Sequence, residues 1–225
     1  MQIVYYPHPS LRFQALDVKR IDSNLRTVVR KMFDLMYEAR GIGLAATQIG
    51  LPLRLFVINL EADPAAKDDE FVFINPQINK RRGSETDEEG CLSLPKLFAD
   101  VKRPEAVVIE AFDLDGQLFE MDLEELPARV VQHELDHLDG AMFTDKVIDE
   151  HRDYVDPVLK VFEQTFRQAQ ASGAYPNDET LINTLREIAA SGGVPDSFLM
   201  ANLAPPAVEI PAGLLRPRRG RNSDG

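Results

Sequence analysis

The sequence predicts an α+β protein, with small antiparallel or mixed sheets around a central helix, a C-terminal helix and an extension. Three observations predict this class. Short apolar runs rich in β-branched residues are gathered in the middle of the chain, amphipathic helical patterns lie before and after them, and the composition changes near residue 168. Because strands and helices are segregated rather than alternating, an antiparallel or mixed sheet is expected.

Length and composition limit the possible classes of protein. The 225 residues, 44% of them hydrophobic and 28% charged, can bury one sizeable core. No apolar run approaches the ~20 residues of a membrane span, and the first residues lack the basic and then apolar pattern of a secretory signal. The single cysteine indicates a reduced, cytoplasmic location. The net charge of -12 argues against specific DNA binding or broad nucleic-acid binding by the main body.

The first half of the chain predicts one helix followed by strands. Apolar residues recur at helical spacing over residues 22–40, and Gly41 and Gly43 then interrupt the pattern. Four short apolar runs are predicted strands: Leu53–Leu60, Phe71–Ile74, Glu105–Phe112 and Gln117–Met121. Asp115-Gly116, between the last two runs, is a hairpin signal. The acidic stretch Gly83–Glu88 is predicted to be turn-like.

The end of the chain differs from the rest in composition. Apolar residues at helical spacing predict a helix over residues 155–171. We divide the chain into a catalytic domain, residues 1–168, and a C-terminal extension, residues 169–225. The extension holds 6 of the 15 prolines and 6 of the 13 glycines. It is predicted to be helical at about 178–191 and to continue as a tail rich in proline, glycine and arginine.

The most informative segment is Gln132–Gly140, which contains the pattern His-Glu-x-x-His. On a helix, His133 and His137 lie one turn apart on the same face and can bind one metal ion. Glu134, beside them, can take the proton of a water on that metal. Pro127 near the start and a glycine at the end are the usual punctuation of such a helix. A surface helix with two histidines is disfavoured, because apolar neighbours bury this helix on both sides.

The third ligand distinguishes between kinds of metal-dependent hydrolase. One pattern needs a histidine at position 143, but that residue is Phe143. A zinc peptidase would use a glutamate on a later helix, and Glu163 stands at a plausible spacing. We favour Cys91, since a thiolate and two imidazoles leave one tetrahedral position open for water. A metal-binding module without catalytic activity also stays open.

Three motifs carry a resemblance to a known family. Gly41–Gln48 has the pattern Gly-x-Gly-x-Ala-Ala-x-Gln, Glu89–Ser93 reads Glu-Gly-Cys-Leu-Ser, and Gln132–Gly140 holds the histidine pair. With these motifs in family order, residues 1–168 resemble the bacterial-type peptide deformylases. The resemblance implies an enzyme that removes the formyl group from the N-terminal methionine of new polypeptides and releases formate. Its substrates would be N-formylmethionyl peptides.

The resemblance also implies roles for individual residues. It implies three metal ligands: Cys91, His133 and His137. The metal in the cell would be Fe²⁺, and Zn²⁺, Ni²⁺ or Co²⁺ would also fit. Glu134 is the expected general base. The side-chain amide of Gln48 and the backbone N–H of Leu92 are expected to stabilise the oxyanion, where one donor is typically worth ~3 kcal/mol of the barrier.

Substrate and partner contacts follow from the same motifs. The family segment that lies along the substrate backbone matches three residues: Ile42, Gly43 and Leu44. Val130 would form a wall of the methionine pocket.

Phe98 stands where some relatives carry a basic residue, so no preference beyond methionine is predicted. Glu89 is expected to pair with Arg103. The basic cluster Arg216–Arg221 predicts a transient contact with the ribosome.

Overall fold

A computed structural model of the chain describes residues 1–200 and 204–216. The strands in this part of the chain are β1 (Gly43–Ala45), β2 (Leu55–Ile58), β3 (Phe71–Arg82), β4 (Glu85–Cys91), β5 (Leu94–Arg103), β6 (Ala106–Phe112) and β7 (Leu118–Glu124). The α-helices are α1 (Ser23–Glu38), α2 (Glu125–Leu138), α3 (Arg152–Ala171), α4 (Asp178–Ser191) and α5 (Asp196–Met200). Among these helices, none has both the length and the apolar character needed to cross a membrane.

A five-stranded antiparallel sheet, in the order β1-β2-β3-β6-β7, forms the scaffold. Strands β4 and β5 form a separate two-stranded hairpin. The predicted α+β class is therefore confirmed. The hairpin signal at Asp115-Gly116 is also confirmed, because β6 and β7 pair from Phe112 and Leu118 onward. Gly116 has a φ of +74°, a conformation that glycine adopts without strain.

The turn predicted at Gly83–Glu88 is wrong for most of its length, because β4 begins at Glu85 and pairs with β5. The first side chains of β4 are exposed, whereas Glu89 and Cys91 near its end are buried. Strand β3 likewise continues well past its predicted end at Ile74, and its last four residues are exposed. Both segments lack the apolar alternation of a half-buried strand, because water covers their side chains.

Helix α2 is the central helix of the prediction, and nine of its fourteen residues are buried. Its apolar side chains pack with those of β2 and β6 in one core cluster. Gly140 follows the helix with a φ of +75°, and a Cβ there would lie 2.8 Å from the carbonyl oxygen of Arg12. Because only glycine fits without displacing this backbone, Gly140 ends the helix at this position.

The C-terminal extension packs against the body of the protein. The predicted helix at 178–191 is confirmed as α4. The ring of Tyr175, just before α4, has its centroid 6.3 Å from that of His8 and 5.3 Å from that of Phe166. Ile188 on α4 and Phe198 on α5 join the apolar core that α1 covers. The extension thus contacts both the N-terminal segment and the first helix.

The described residues end at Arg216. Its guanidinium lies 3.9 Å from the centroid of the Tyr154 ring and 3.1 Å from a carboxylate oxygen of Asp153. The first arginine of the predicted basic cluster is therefore held against α3. The rest of that cluster, 217–221, lies outside the described residues.

Candidate metal centre

Two elements bring together one sulfur and two imidazoles. Helix α2 presents His133 and His137, and the end of β4 presents Cys91. One potential ligand atom from each residue lies within 4.8 Å of the other two, and Cys91 Sγ is 3.3 Å from His137 Nε2. Ligands around one tetrahedral zinc-type ion are about 3.6 Å apart, given metal–sulfur and metal–nitrogen distances of about 2.3 and 2.1 Å. The spacing therefore fits a shared cation.

The chemistry of the donors also fits a divalent metal. His133 Nδ1 lies 3.0 Å from a carboxylate oxygen of Glu89, which leaves its other ring nitrogen for a cation. Burial lowers the pKa of His137. Burial also acts to lower the pKa of His133, but its hydrogen bonds with Cys91 and Glu89 outweigh burial and raise it. Metal binding requires each ring to be without a proton on the nitrogen that binds the ion. Cys91 is 9% exposed and His137 1%, so solvent competes little for these ligands.

Glu134 lies beside this group and is 4% exposed. Burial raises the pKa of its carboxyl to about 7, which suits a group that accepts and returns a proton near neutral pH. Gly43 on β1 makes room for it, because a Cβ at position 43 would lie 2.5 Å from Glu134 Oε1. Any other residue at position 43 would move the carboxylate or the strand.

Gln48 is buried and directed at the sulfur. Its Nε2 donates to Cys91 Sγ at 3.4 Å and to Ser93 Oγ at 3.3 Å, while its Oε1 accepts from the backbone N–H of Ala45 at 2.8 Å. The backbone N–H of Ser93 also points to the sulfur at 3.4 Å. These donors hold the sulfur in place as a candidate metal ligand.

The other predicted site residues differ in what their side chains pack against. Leu92 packs its side chain on Gly41, where a Cβ would lie 2.7 Å from one of its methyl carbons. Ile42 packs in the same apolar cluster as Val130. The side chain of Leu44, in contrast, is fully buried in the core that α1 covers. Leu44 can therefore offer a bound peptide only its backbone.

Glu163, the ligand of the zinc-peptidase alternative, is engaged elsewhere. Its carboxylate accepts a hydrogen bond from the Tyr6 hydroxyl at 2.7 Å. Among the described residues, the potential metal ligands that converge include Cys91 and not Glu163. The zinc-peptidase reading is therefore not favoured.

The expected pair of Glu89 and Arg103 is present, with Arg103 Nη2 donating to Glu89 Oε2 at 2.8 Å. Burial alone would raise the pKa of Glu89, but the hydrogen bonds from Arg103 and His133 outweigh it and hold the pKa below its ordinary range. Sequence reasoning missed Arg129, which donates to Glu89 Oε1 at 2.8 Å. Its position one turn before His133, on a face that is otherwise buried, was the available signal.

Fold and site together are those of a metal-dependent hydrolase built on a His-Glu-x-x-His helix. Comparison with known proteins narrows this class. A family model described as polypeptide deformylase matches residues 1–153. The peptide deformylase of Rhodopirellula baltica is 41% identical over 184 residues, which are 80% of this chain and 90% of that protein. That of Acidobacterium capsulatum is 49% identical over 153 residues, or 68% and 89% of the two chains.

Solved structures agree with this match. The peptide deformylase of Plasmodium falciparum superimposes with a TM-score of 0.71 at 38% identity, covering 76% of this chain and 98% of that one. Peptide deformylase 1B of Arabidopsis thaliana gives a TM-score of 0.71 at 40% identity, with 78% and 96% covered. The chain belongs to the peptide deformylase family, and it is an enzyme.

Proposed function

We propose that this enzyme removes the N-formyl group from the N-terminal methionine of newly made polypeptides and releases formate. One observation carries the proposal. The sulfur of Cys91 and the imidazoles of His133 and His137 converge beside the buried carboxylate of Glu134, in a chain that belongs to the peptide deformylase family. A metal-binding module without activity would not need a buried carboxylate at that place.

We infer that Cys91, His133 and His137 would hold the metal, with Fe²⁺ as the ion used in the cell. Zn²⁺, Ni²⁺ and Co²⁺ are alternatives, because one sulfur and two imidazole nitrogens suit several of these ions. When bound, such an ion supplies a Lewis acid that polarises the formyl oxygen and lowers the pKa of a water from 15.7 toward ~7.

The residues around the ligands would carry the proton and stabilise developing charge. Glu134 accepts a proton from water as the water oxygen bonds to the formyl carbon. The Gln48 amide would exchange one of its two present acceptors, Cys91 Sγ or Ser93 Oγ, for the oxygen that becomes negative. The Leu92 backbone N–H would donate to the same oxygen. The C–N bond then breaks, Glu134 returns the proton to the amine nitrogen, and formate leaves.

The substrate peptide would lie along β1. This strand pairs only with β2 within the five-stranded sheet, so its other edge can accept the backbone of an extended peptide. Gly43 and Leu44 would contribute backbone groups, whereas Ile42 and Val130 would contact the methionine side chain.

The division of the chain and its cellular partner also belong to this proposal. Residues 1–168 would form the catalytic domain and residues 169–225 an appended segment. The enzyme would act in the cytoplasm and meet the ribosome transiently. Trimming the chain after residue 215 would then weaken cosedimentation with ribosomes at low salt.

An anaerobic assay tests the main proposal. Formate released from formyl-Met-Ala-Ser is measured together with the metal content of the same sample. Cys91→Ala is expected to lose both bound metal and activity. If this variant keeps its metal, Cys91 is not a ligand. That result would favour the zinc-peptidase alternative, in which Glu163 is the third ligand.

A further inference from the structure

A buried cluster of charges joins helix α2 to the hairpin of β4 and β5. The side chains of Arg103, Glu89 and Arg129 are 2%, 5% and 6% exposed. Arg103 also donates to Asp136 on α2 at 2.7 Å, and Lys146 binds the same carboxylate. Charges this deeply buried must be paired and hydrogen-bonded, so the cluster holds its members in fixed positions.

Arg129 makes three hydrogen bonds to the hairpin from one guanidinium, and it also pairs with the Glu85 carboxylate at 3.5 Å. Its Nη1 donates to Glu89 Oε1 at 2.8 Å and to the carbonyl oxygen of Val101 at 3.0 Å. Its Nη2 donates to the carbonyl oxygen of Glu85 at 3.4 Å. Glu85 and Glu89 belong to β4 and Val101 to β5, so a single side chain of α2 contacts both strands. The planar fork of arginine allows this, whereas the ammonium of lysine is a point charge.

The position of these contacts relates them to the metal ligands. Arg129 precedes His133 by one turn on α2, and Glu89 precedes Cys91 by two residues on β4. The sulfur and the two imidazoles therefore lie on different elements, and their separation depends on how the hairpin is held against the helix. Glu89 receives Arg129 on Oε1 and His133 on Oε2. The same carboxylate thus links the arginine to a ligand ring.

We propose that Arg129 is a positioning residue of the metal centre, which fixes the hairpin carrying Cys91 against the helix carrying His133 and His137 and orients Glu89 toward His133. The proposal rests on the metal site of the proposed function. Removing the guanidinium leaves Glu89 paired with Arg103, so no buried charge is left alone. The apolar variant Arg129→Met is therefore expected to fold.

Metal affinity tests this directly. Co²⁺ is titrated into metal-free protein against a competing chelator, and the visible spectrum of the cobalt protein is recorded. Loss of a residue that orients a ligand typically weakens metal binding about 10–100-fold. Arg129→Met is expected to show this loss and a shifted sulfur-to-cobalt absorption. Arg129→Lys, which keeps the charge but cannot reach all three acceptors, is expected to lie between Arg129→Met and the parent.

Arg82→Met is the matched control. Arg82 is an exposed arginine that binds Asp122 at 2.7 Å on the sheet surface, and its loss is expected to leave affinity and spectrum unchanged. Parental affinity and an unchanged spectrum in Arg129→Met would overturn the proposal. If Arg129→Met does not fold, parental values in Arg129→Lys would overturn it as well. Since no readout uses formate release, a failure of the proposed function is seen separately from a failure of this inference.

Discussion

Two junctions of this protein differ in the chemistry of their contacts. At the metal centre, the hairpin meets α2 through buried arginines and carboxylates, whose hydrogen bonds are directional. At the C-terminal extension, Tyr175 and the helices after it meet the body mainly through aromatic and aliphatic side chains, with hydrogen bonds such as that from Asn24 to the carbonyl oxygen of Val194 around them. Directional bonds set the positions of atoms, whereas apolar contact chiefly lowers the free energy of the folded state. Variants at the first junction should therefore change chemistry, and variants at the second should change stability.

The largest effect is expected for Glu134→Ala at the metal centre. General acid–base catalysis contributes about 10²–10⁴-fold, so kcat for formate release should fall by about 10³-fold. Metal content should stay at the parental level, because Glu134 is not among the converging ligands. Assays of formate and metal on one preparation check both. Substantial remaining activity would remove Glu134 from the mechanism.

Gly43→Ala is expected to have the next largest effect. The new Cβ would lie 2.5 Å from Glu134 Oε1, so the carboxylate or the strand must shift. A displacement of about 1 Å in a catalytic group can cost about 10²-fold in rate, and kcat/KM is expected to fall by that order. Gly173→Ala is a control for the added methyl group, since a Cβ there meets no atom within 4 Å, although its positive φ makes a small stability loss expected. Unchanged kcat/KM in Gly43→Ala would show that the site tolerates movement of Glu134.

Tyr175→Ala tests the apolar junction. Removing a large buried aromatic side chain costs about 4 kcal/mol of unfolding free energy, and Tyr175 is 4% exposed. Urea denaturation should show this loss, while kcat/KM at 25 °C stays near the parental value in the folded protein. A large fall in kcat/KM with normal stability would mean that the extension acts on the site rather than on the fold.

The pH dependence of stability also tests the junction with the extension, because His8 lies against Tyr175. Burial lowers the pKa of His8 from 6.5 to about 4, and its Nδ1 accepts a hydrogen bond from the Ser10 backbone at 3.1 Å. Between those pH values the unfolded chain binds the extra proton, so stability falls as the pH drops from 6.5 to about 4. The loss from His8 alone is about 3 kcal/mol. Above pH 6.5 both states are neutral, and this contribution is constant.

His8→Gln keeps an acceptor for Ser10 but cannot titrate. Urea midpoints of the variant and the parent, compared at pH 7 and pH 4.5, isolate the histidine from the carboxylates that titrate in both proteins. The variant is expected to lose less stability on acidification. Parallel losses in the two proteins would show that His8 does not control this pH range.

Much of the fold could be predicted because its signals are local. Apolar spacing predicts α1 and α3, and Asp115-Gly116 predicts the turn between β6 and β7. The hairpin of β4 and β5 could not be read in this way, because the side chains that begin it are acidic and exposed. Its burial begins only at Glu89, where the partners are charged rather than apolar.

The site likewise has residues that local signals predict and contacts that they do not. His133, Glu134 and His137 follow from helical spacing alone, and Cys91 is the single cysteine of the chain. Their convergence depends on contacts between residues that are distant in sequence. The hydrogen bonds of Arg129 to the hairpin depend on such contacts as well. An arginine in a helix is usually a solvated side chain. The position of Arg129 on the buried face of α2 could have indicated burial, but its pairing with Glu89 is seen only in the tertiary structure.

The contact between His8 and Tyr175 has a consequence for how the chain folds during synthesis. The metal-binding residues are all present once the ribosome has added residue 137, whereas Tyr175, one of the two rings that pack against His8, is added 38 residues later. Domains fold as the chain emerges, so the coordination site can assemble while the N-terminal segment still lacks its final cover. Docking of the extension can therefore follow assembly of the coordination site.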